Sequence, residues 1–321
     1  SLSPPVVGAI LEDETGALWV GTEGGLNRLD RATGRFTRYR HDPRDSGSLP
    51  HDNVLSLYQD REGRFWVGTV GGAALLDRAT GRFLSFRSER TRPDSFRNNL
   101  IISLFQDDSG TLWFGTGAGL SRHNRLNYQF GRITPDPYNP NSLGAPTVRA
   151  LRLDRAGMLW VGLVDGGLDR IDLAAGRYTH WRHKHDDPAT LSSDTVTALY
   201  EDRQDRLWIG TWGGGLDRLD RDRRTFTHLQ GSATDPGTLS SNIIQAITED
   251  PQGNLWIGTE NGLNRLAPAT GKITRFRHDP ASPESLSDNR VQSGALCFDR
   301  TGALWVGTWQ GLNRMDPATN R

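Results

Sequence analysis

The chain has 321 residues, 38 basic against 38 acidic side chains, and a single cysteine, Cys297. Balanced charge argues against a nucleic-acid partner, which needs a basic face, and one cysteine excludes an internal disulfide. No run of about 20 apolar residues exists to span a membrane.

The chain opens on a short apolar run, VVGAILED, followed by a turn at Asp13–Gly16, DETG. Asp opening a tight turn caps its own backbone, and Gly closing it accepts positive φ at little cost. LWVGT then reads as a second strand, and a Gly-rich hairpin, EGGL, leads into a third, GLNRLD. The turn DRATGR leads into a fourth strand, FTRYR. Runs of this length, rich in β-branched and aromatic residues and bounded by Gly, Asp and Pro, predict strands. No apolar spacing is sustained at the helical period.

The plan then repeats. The second-strand phrase recurs at Trp19, Trp66, Trp113, Trp160, Trp208, Trp256 and Trp305, with gaps of 47, 47, 47, 48, 48 and 49 residues. A fixed period in this range marks a repeat architecture. Each repeat has a small residue at one place in its first strand: Ala9, Ser56, Ser103, Ala150, Ala198, Ala246 and Ala295. That suits strands crowded around an axis. The fifth turn departs from the rest, with Asp205 where the others have Gly, and Asp tolerates left-handed backbone better than most residues.

The expectation is all-β: a seven-bladed β-propeller of four-stranded antiparallel blades, one domain over residues 1–321. An open solenoid would need polar capping repeats at its ends, and the terminal repeats here look like the middle ones. The seventh repeat stops at Arg321, after its third-to-fourth turn. Its outer strand is expected to be absent, giving 27 strands, with the parent chain continuing beyond it.

The chain shows no GxSxG elbow, HExxH motif, GK[ST] phosphate loop or EF-hand loop. GTGAGL at Gly115–Leu120 aligns with a hairpin in the other repeats, so it is not read as a dinucleotide loop. The pattern DxxGxxW is similar to the Asp-box of sialidases, but its spacing differs and those boxes are structural. His183 and His185 in HWRHKHDD could face one side of a strand, yet RHDP recurs at Arg40–Pro43 and Arg277–Pro280. No catalytic residue, metal or cofactor is expected. Cys297 reads as a buried, inert thiol.

The hairpin between second and third strands and the long loop into the next blade reach the same end of the propeller. Functional residues concentrate on such loops. Seven of the ten tryptophans belong to the repeat, and Trp181 replaces packing residues such as Tyr39 and Phe86. Trp212 and Trp309 have no aromatic counterpart. Their hairpin position reads Glu23, Val70, Gly117, Val164, Trp212, Glu260 and Trp309 around the ring. Blades five, six, seven and one therefore form an aromatic and acidic sector, with Asp194, Asn242, Asp288 and Arg290 expected on its rim. Trp with carboxylates suits a sugar ring, and Trp also anchors protein partners.

The phrases DxxGxLWVGTxGGLNRLD and RHDPxxPxSLSDN resemble the repeats of the two-component regulator propeller family, over all seven copies. The resemblance implies the periplasmic sensor region of a bacterial hybrid histidine kinase or related receptor. It implies a small-molecule or oligosaccharide ligand, a homodimer formed through the parent receptor, and a membrane connection only through parent segments. Two other readings stand beside it. One is a lyase or hydrolase resembling the streptogramin lyases, which would need a repeat-breaking His or Glu such as His51, Glu23 or Glu260. The other is a scaffold for protein assembly.

Overall fold

The computed structural model describes residues 5–89, 91–92, 95–124, 129–220 and 225–319. Among them are 27 strands and no helix, and so no helix long and apolar enough to cross a membrane. The strands form seven antiparallel sheets in chain order, six of four strands and the last of three. The fold is a seven-bladed β-propeller. Its blades run Val7–Tyr39, Val54–Phe86, Ile101–Ile133, Val148–Trp181, Val196–Leu229, Ile244–Phe276 and, with three strands, Val291–Met315. Asn320 and Arg321 lie outside the described residues.

One hydrogen bond ties turn to strand in every blade. The Trp19 indole Nε1 donates to Asp13 Oδ2 at 2.7 Å, and Trp66, Trp113, Trp160, Trp208, Trp256 and Trp305 do the same to Asp60, Asp107, Asp154, Asp202, Asp250 and Asp299. The other carboxylate oxygen accepts two turn amides, as Asp13 Oδ1 does from Thr15 and Ala17, or in blade three the Thr111 amide and the Ser109 hydroxyl. The indole N–H, which would otherwise be buried without a partner, is thereby satisfied. The turn closes on a residue of positive φ, from Gly16 at 82° to Asp205 at 59°, so Asp205 does adopt the left-handed conformation.

The core lies between blades. Every second strand is buried along its whole length but for Met158 at the start of blade four's, and each apolar cluster joins two neighbouring blades. Trp19 of blade one packs with Leu49, Phe65 and Val67 of blade two and its loop; Trp305 of blade seven packs with Val7, Leu18 and Val20 of blade one. The Gly of LWVGT is required by this approach. A Cβ on Gly210 would meet Ile244 Cγ2 at 2.7 Å and Ala198 Cβ at 3.1 Å. The small first-strand residue is thus fixed by the Gly paired opposite it and by the next blade, and it also lines the axis.

Neighbouring blades interlock through the residue before each turn Asp. Gln59 accepts from the Glu14 amide, Gln106 from Arg61, Glu201 from Arg155, Glu249 from Arg203, and Glu12 from Arg300 at 2.7 Å. The last of these closes the ring between blades seven and one. Two junctions lack the contact: between blades three and four the acceptor position is Leu153, and between blades six and seven the donor position is Pro251, which has no N–H, and the acceptor position is Phe298.

The Ser-Leu of the long loops is an apolar plug: Leu49, Leu143, Leu191, Leu239 and Leu286 are buried. The RHDP histidines are part of that loop. His183 Nδ1 lies 2.7 Å from the Leu191 carbonyl, and His41 and His278 repeat the contact with Leu49 and Leu286. Trp181 packs on Trp160 with ring centroids 5.1 Å apart. Cys297 is half-buried among the apolar residues joining blades seven and one, and burial raises its thiol pKa.

Candidate functional site

The first strands of all seven blades surround a central channel of about 540 Å³. In the first six, a bulge follows the opening residue, so that one residue per blade leaves the ladder. Those residues are Gly8, Leu55, Ile102, Arg149, Thr197 and Gln245, and all line the channel. In blade seven the interruption is longer, with Gln292, Ser293, Gly294 and Ala295 between paired Val291 and Leu296. The wall is apolar over blades one to three and polar over blades four to seven.

The departures from the 47-residue period fall at this end of the molecule. The extra residue of blade four is in its hairpin, which holds Asp165 at φ 55°, and that of blade five is in the hairpin holding Gly213. The two extra residues of blade seven are in its channel-lining bulge. A non-Gly residue at positive φ is uncommon outside turns that hold it there. Asp165 is held by Thr195, whose hydroxyl donates to Asp165 Oδ1 at 2.9 Å and accepts from the Asp165 amide.

Trp212 and Trp309 follow the buried Thr211 and Thr308, and both side chains emerge, 47% and 42% exposed. Trp212 lies against Arg149 of the preceding blade, the guanidinium carbon 5.8 Å from the ring centroid. Arg149 Nη2 donates to Gln245 Oε1 at 3.3 Å, and Gln245 Nε2 donates to Glu260 Oε1 at 2.5 Å. A polar chain therefore links blade four to blade six at the channel mouth, with Trp212 of blade five beside it. Burial lowers the pKa of Arg149, with Glu260 partly offsetting the effect.

Trp309 anchors a second cluster. The Arg290 guanidinium lies 3.8 Å from its ring centroid, close enough for a cation–π contact. Asp288 Oδ1 accepts from the Arg290 amide at 2.7 Å, and its Oδ2 accepts from Gln310 Nε2 at 3.1 Å.

The structure thus joins Trp212 with Glu260, and Trp309 with Arg290 and Asp288. Glu23 is exposed on the blade-one hairpin and is in neither group. Asp194 and Asn242 have an architectural duty. Their side-chain oxygens accept the His183 and Gly231 amides at 2.7 and 2.6 Å, and their carbonyls accept hairpin amides. Asp52, Asn99 and Asn289 repeat the side-chain contact. His51 Nδ1 accepts the Asn53 amide at 2.9 Å. Sequence reasoning missed Arg149, Gln245 and Gln310. The first two stand at a bulge position whose residue type changes from blade to blade, as it does at the hairpin position of Trp212 and Trp309.

Fold and channel define a seven-bladed propeller whose repeat is tied by Asp and Trp and whose variable residues gather at one mouth. The chain belongs to the two component regulator propeller family. The family model matches residues 1–24, 48–71, 95–118, 190–213, 238–261 and 285–310, in every blade but the fourth, where Leu163 stands in place of the repeat Thr. No curated protein matches the sequence.

Among solved structures, the chain is similar to the extracellular domain assigned to a hybrid two component system of B. thetaiotaomicron. The TM-score is 0.83 at 24% identity, covering 98% of this chain and 40% of that one. It is also similar to virginiamycin B lyase from Staphylococcus aureus, with TM-score 0.69 at 15% identity, covering 96% and 93%. A third is a component of the type-IX secretion system of Porphyromonas gingivalis, with TM-score 0.58 at 17% identity, covering 98% and 50%. At these identities the likeness is one of fold.

Proposed function

We propose that this propeller, acting as one domain over residues 1–321, is the ligand-sensing part of an extracytoplasmic bacterial signal receptor. It binds an oligosaccharide at the channel mouth of blades four to seven and does not turn it over. The observation that carries this reading is the gathering of the repeat's departures at one end: two exposed tryptophans, the extra residues of blades four, five and seven, and a one-sided polar wall. Positions that break the repeat are not needed by the fold, so their clustering marks a site. Exposed indoles offer flat faces for sugar rings, and the carboxylate and amide groups beside them accept and donate to hydroxyls.

Family membership and the fold shared with an extracellular two component domain support the sensor reading. Pairing into a dimer through the parent receptor is part of the same proposal, and the extracytoplasmic location is supported by that shared fold. Two of the three candidate acid–base groups are already engaged in ways that suit binding: Glu260 accepts from Gln245, and His51 accepts a backbone amide; the third, Glu23, stands exposed and apart from both clusters. The test is calorimetric titration with neutral and acidic oligosaccharides. Binding by the wild type that is lost in Trp212→Ala and Trp309→Ala supports the site. Binding unchanged in both variants moves it elsewhere.

A further inference from the structure

Resting on that reading of the channel mouth, we infer that Arg149 is the receptor for an anionic group, a carboxylate or sulfate, carried by a ligand whose ring stacks on Trp212. Among the described residues, Arg149 is the one charged side chain lining the channel. Its guanidinium makes a side-chain hydrogen bond through Nη2 to a neutral amide, Gln245, and its Nε is buried with no hydrogen-bond partner. The carboxylate that balances it, Glu260, is reached only through the Gln245 amide.

A guanidinium cannot shed its proton to escape burial, and it presents five donors in a fixed fork. A buried donor left unmade is costly, and a charged acceptor repays it best. Glu260 holds Gln245 by its amide nitrogen, which turns the amide oxygen toward Arg149 and fixes one side of the fork. The remaining donors are left for an oxyanion from the channel. Trp212 covers the guanidinium from blade five, so a ring attached to that oxyanion lies beside an indole face. The wall of blades two and three, with Leu55, Leu100 and Ile102, offers apolar surface and no competing charge.

The test is calorimetric titration of the whole chain with oligogalacturonate and with the same oligomer fully methyl-esterified, which keeps the rings and removes the charge. Benzoate serves as a ring-bearing acid that is not a sugar. The inference expects the acidic oligomer to bind at least roughly tenfold tighter than its ester. Arg149→Met should abolish that preference, and Arg149→Lys should retain part of it. Melting temperatures of both variants establish that they fold. Equal binding of acid and ester, unaffected by Arg149→Met, overturns the inference and leaves the saccharide site standing. Binding of benzoate through Arg149 with no saccharide bound supports the inference and removes the saccharide reading. Failure of every carboxylate to bind at millimolar concentration overturns it.

Discussion

Trp208 Nε1 donates to Asp202 Oδ2 at 2.8 Å across the turn that joins the first two strands of blade five. The same carboxylate accepts from Arg206 Nε at 2.5 Å and, through Oδ1, from two turn amides. One buried Asp therefore fixes a turn, orients a core indole and holds a cation against that indole's ring, 5.6 Å from its centroid. Removing the indole empties a cluster shared by blades five and six. Trp208→Ala is expected to destabilise by roughly 3–5 kcal/mol as a large core truncation, read by urea denaturation.

Trp212→Ala and Trp309→Ala are the contrasting substitutions. Both side chains are more than two-fifths exposed, and their principal contacts are with Arg149 and Arg290, worth about 0.5–1 kcal/mol each at exposed sites. Each variant should melt within a few degrees of wild type. A loss as large as that of Trp208→Ala would show that the ring packs rather than waits for a ligand.

The ring closure gives a third expectation. Glu12, with a side chain 7% exposed, accepts the Arg300 amide and pairs with Arg31 at 3.0 Å. Glu12→Ala leaves that amide without its acceptor at the junction of blades seven and one. Denaturation should show a loss of about 1.5–3 kcal/mol, the range for a hydrogen bond to a charged group. No measurable loss would mean that apolar packing alone closes the ring.

A fourth concerns pH. His228 Nδ1 lies 2.6 Å from Asp217 Oδ1, and Nε2 lies 2.7 Å from the Pro188 carbonyl, so both ring nitrogens face acceptors. Hydrogen bonding to the buried Asp217 raises the histidine pKa above its ordinary 6.5. The folded state then binds this proton more tightly than the unfolded chain does. The stability it contributes is complete below pH 6.5 and lost as pH rises through the folded pKa. His228→Gln should therefore cost more at pH 6 than at pH 9. A cost independent of pH would contradict the charged pair.

Much of the fold was legible because the repeat repeats its chemistry. The tryptophan phrase, the turn Asp, the closing Gly and the plug Leu each announce a position, and even Asp205 read correctly as a left-handed residue. The three-stranded seventh blade followed from the same count. The interlock between blades was not legible. Gln59, Gln106 and Glu201 look like ordinary strand ends until the next blade's amide is seen beside them.

The candidate site was legible only where a residue type broke the repeat. Trp212 and Trp309 stood out because no other hairpin has an aromatic residue there. Asp194 and Asn242 looked like rim residues because they sit on the long loop into the next blade, whereas their contacts recur around the ring as backbone clamps. Arg149 was missed because its bulge position carries no motif. Its meaning comes from an axis that only the closed ring creates.

The most direct test of the sensor account is a thermal-shift screen against oligosaccharides, with mass spectrometry on every incubated mixture. A ligand that prefers the folded state must raise its melting temperature. The account predicts a rise with the sugar recovered intact, and no rise in Trp212→Ala. A cleaved sugar, or a rise of equal size in Trp212→Ala, would contradict it.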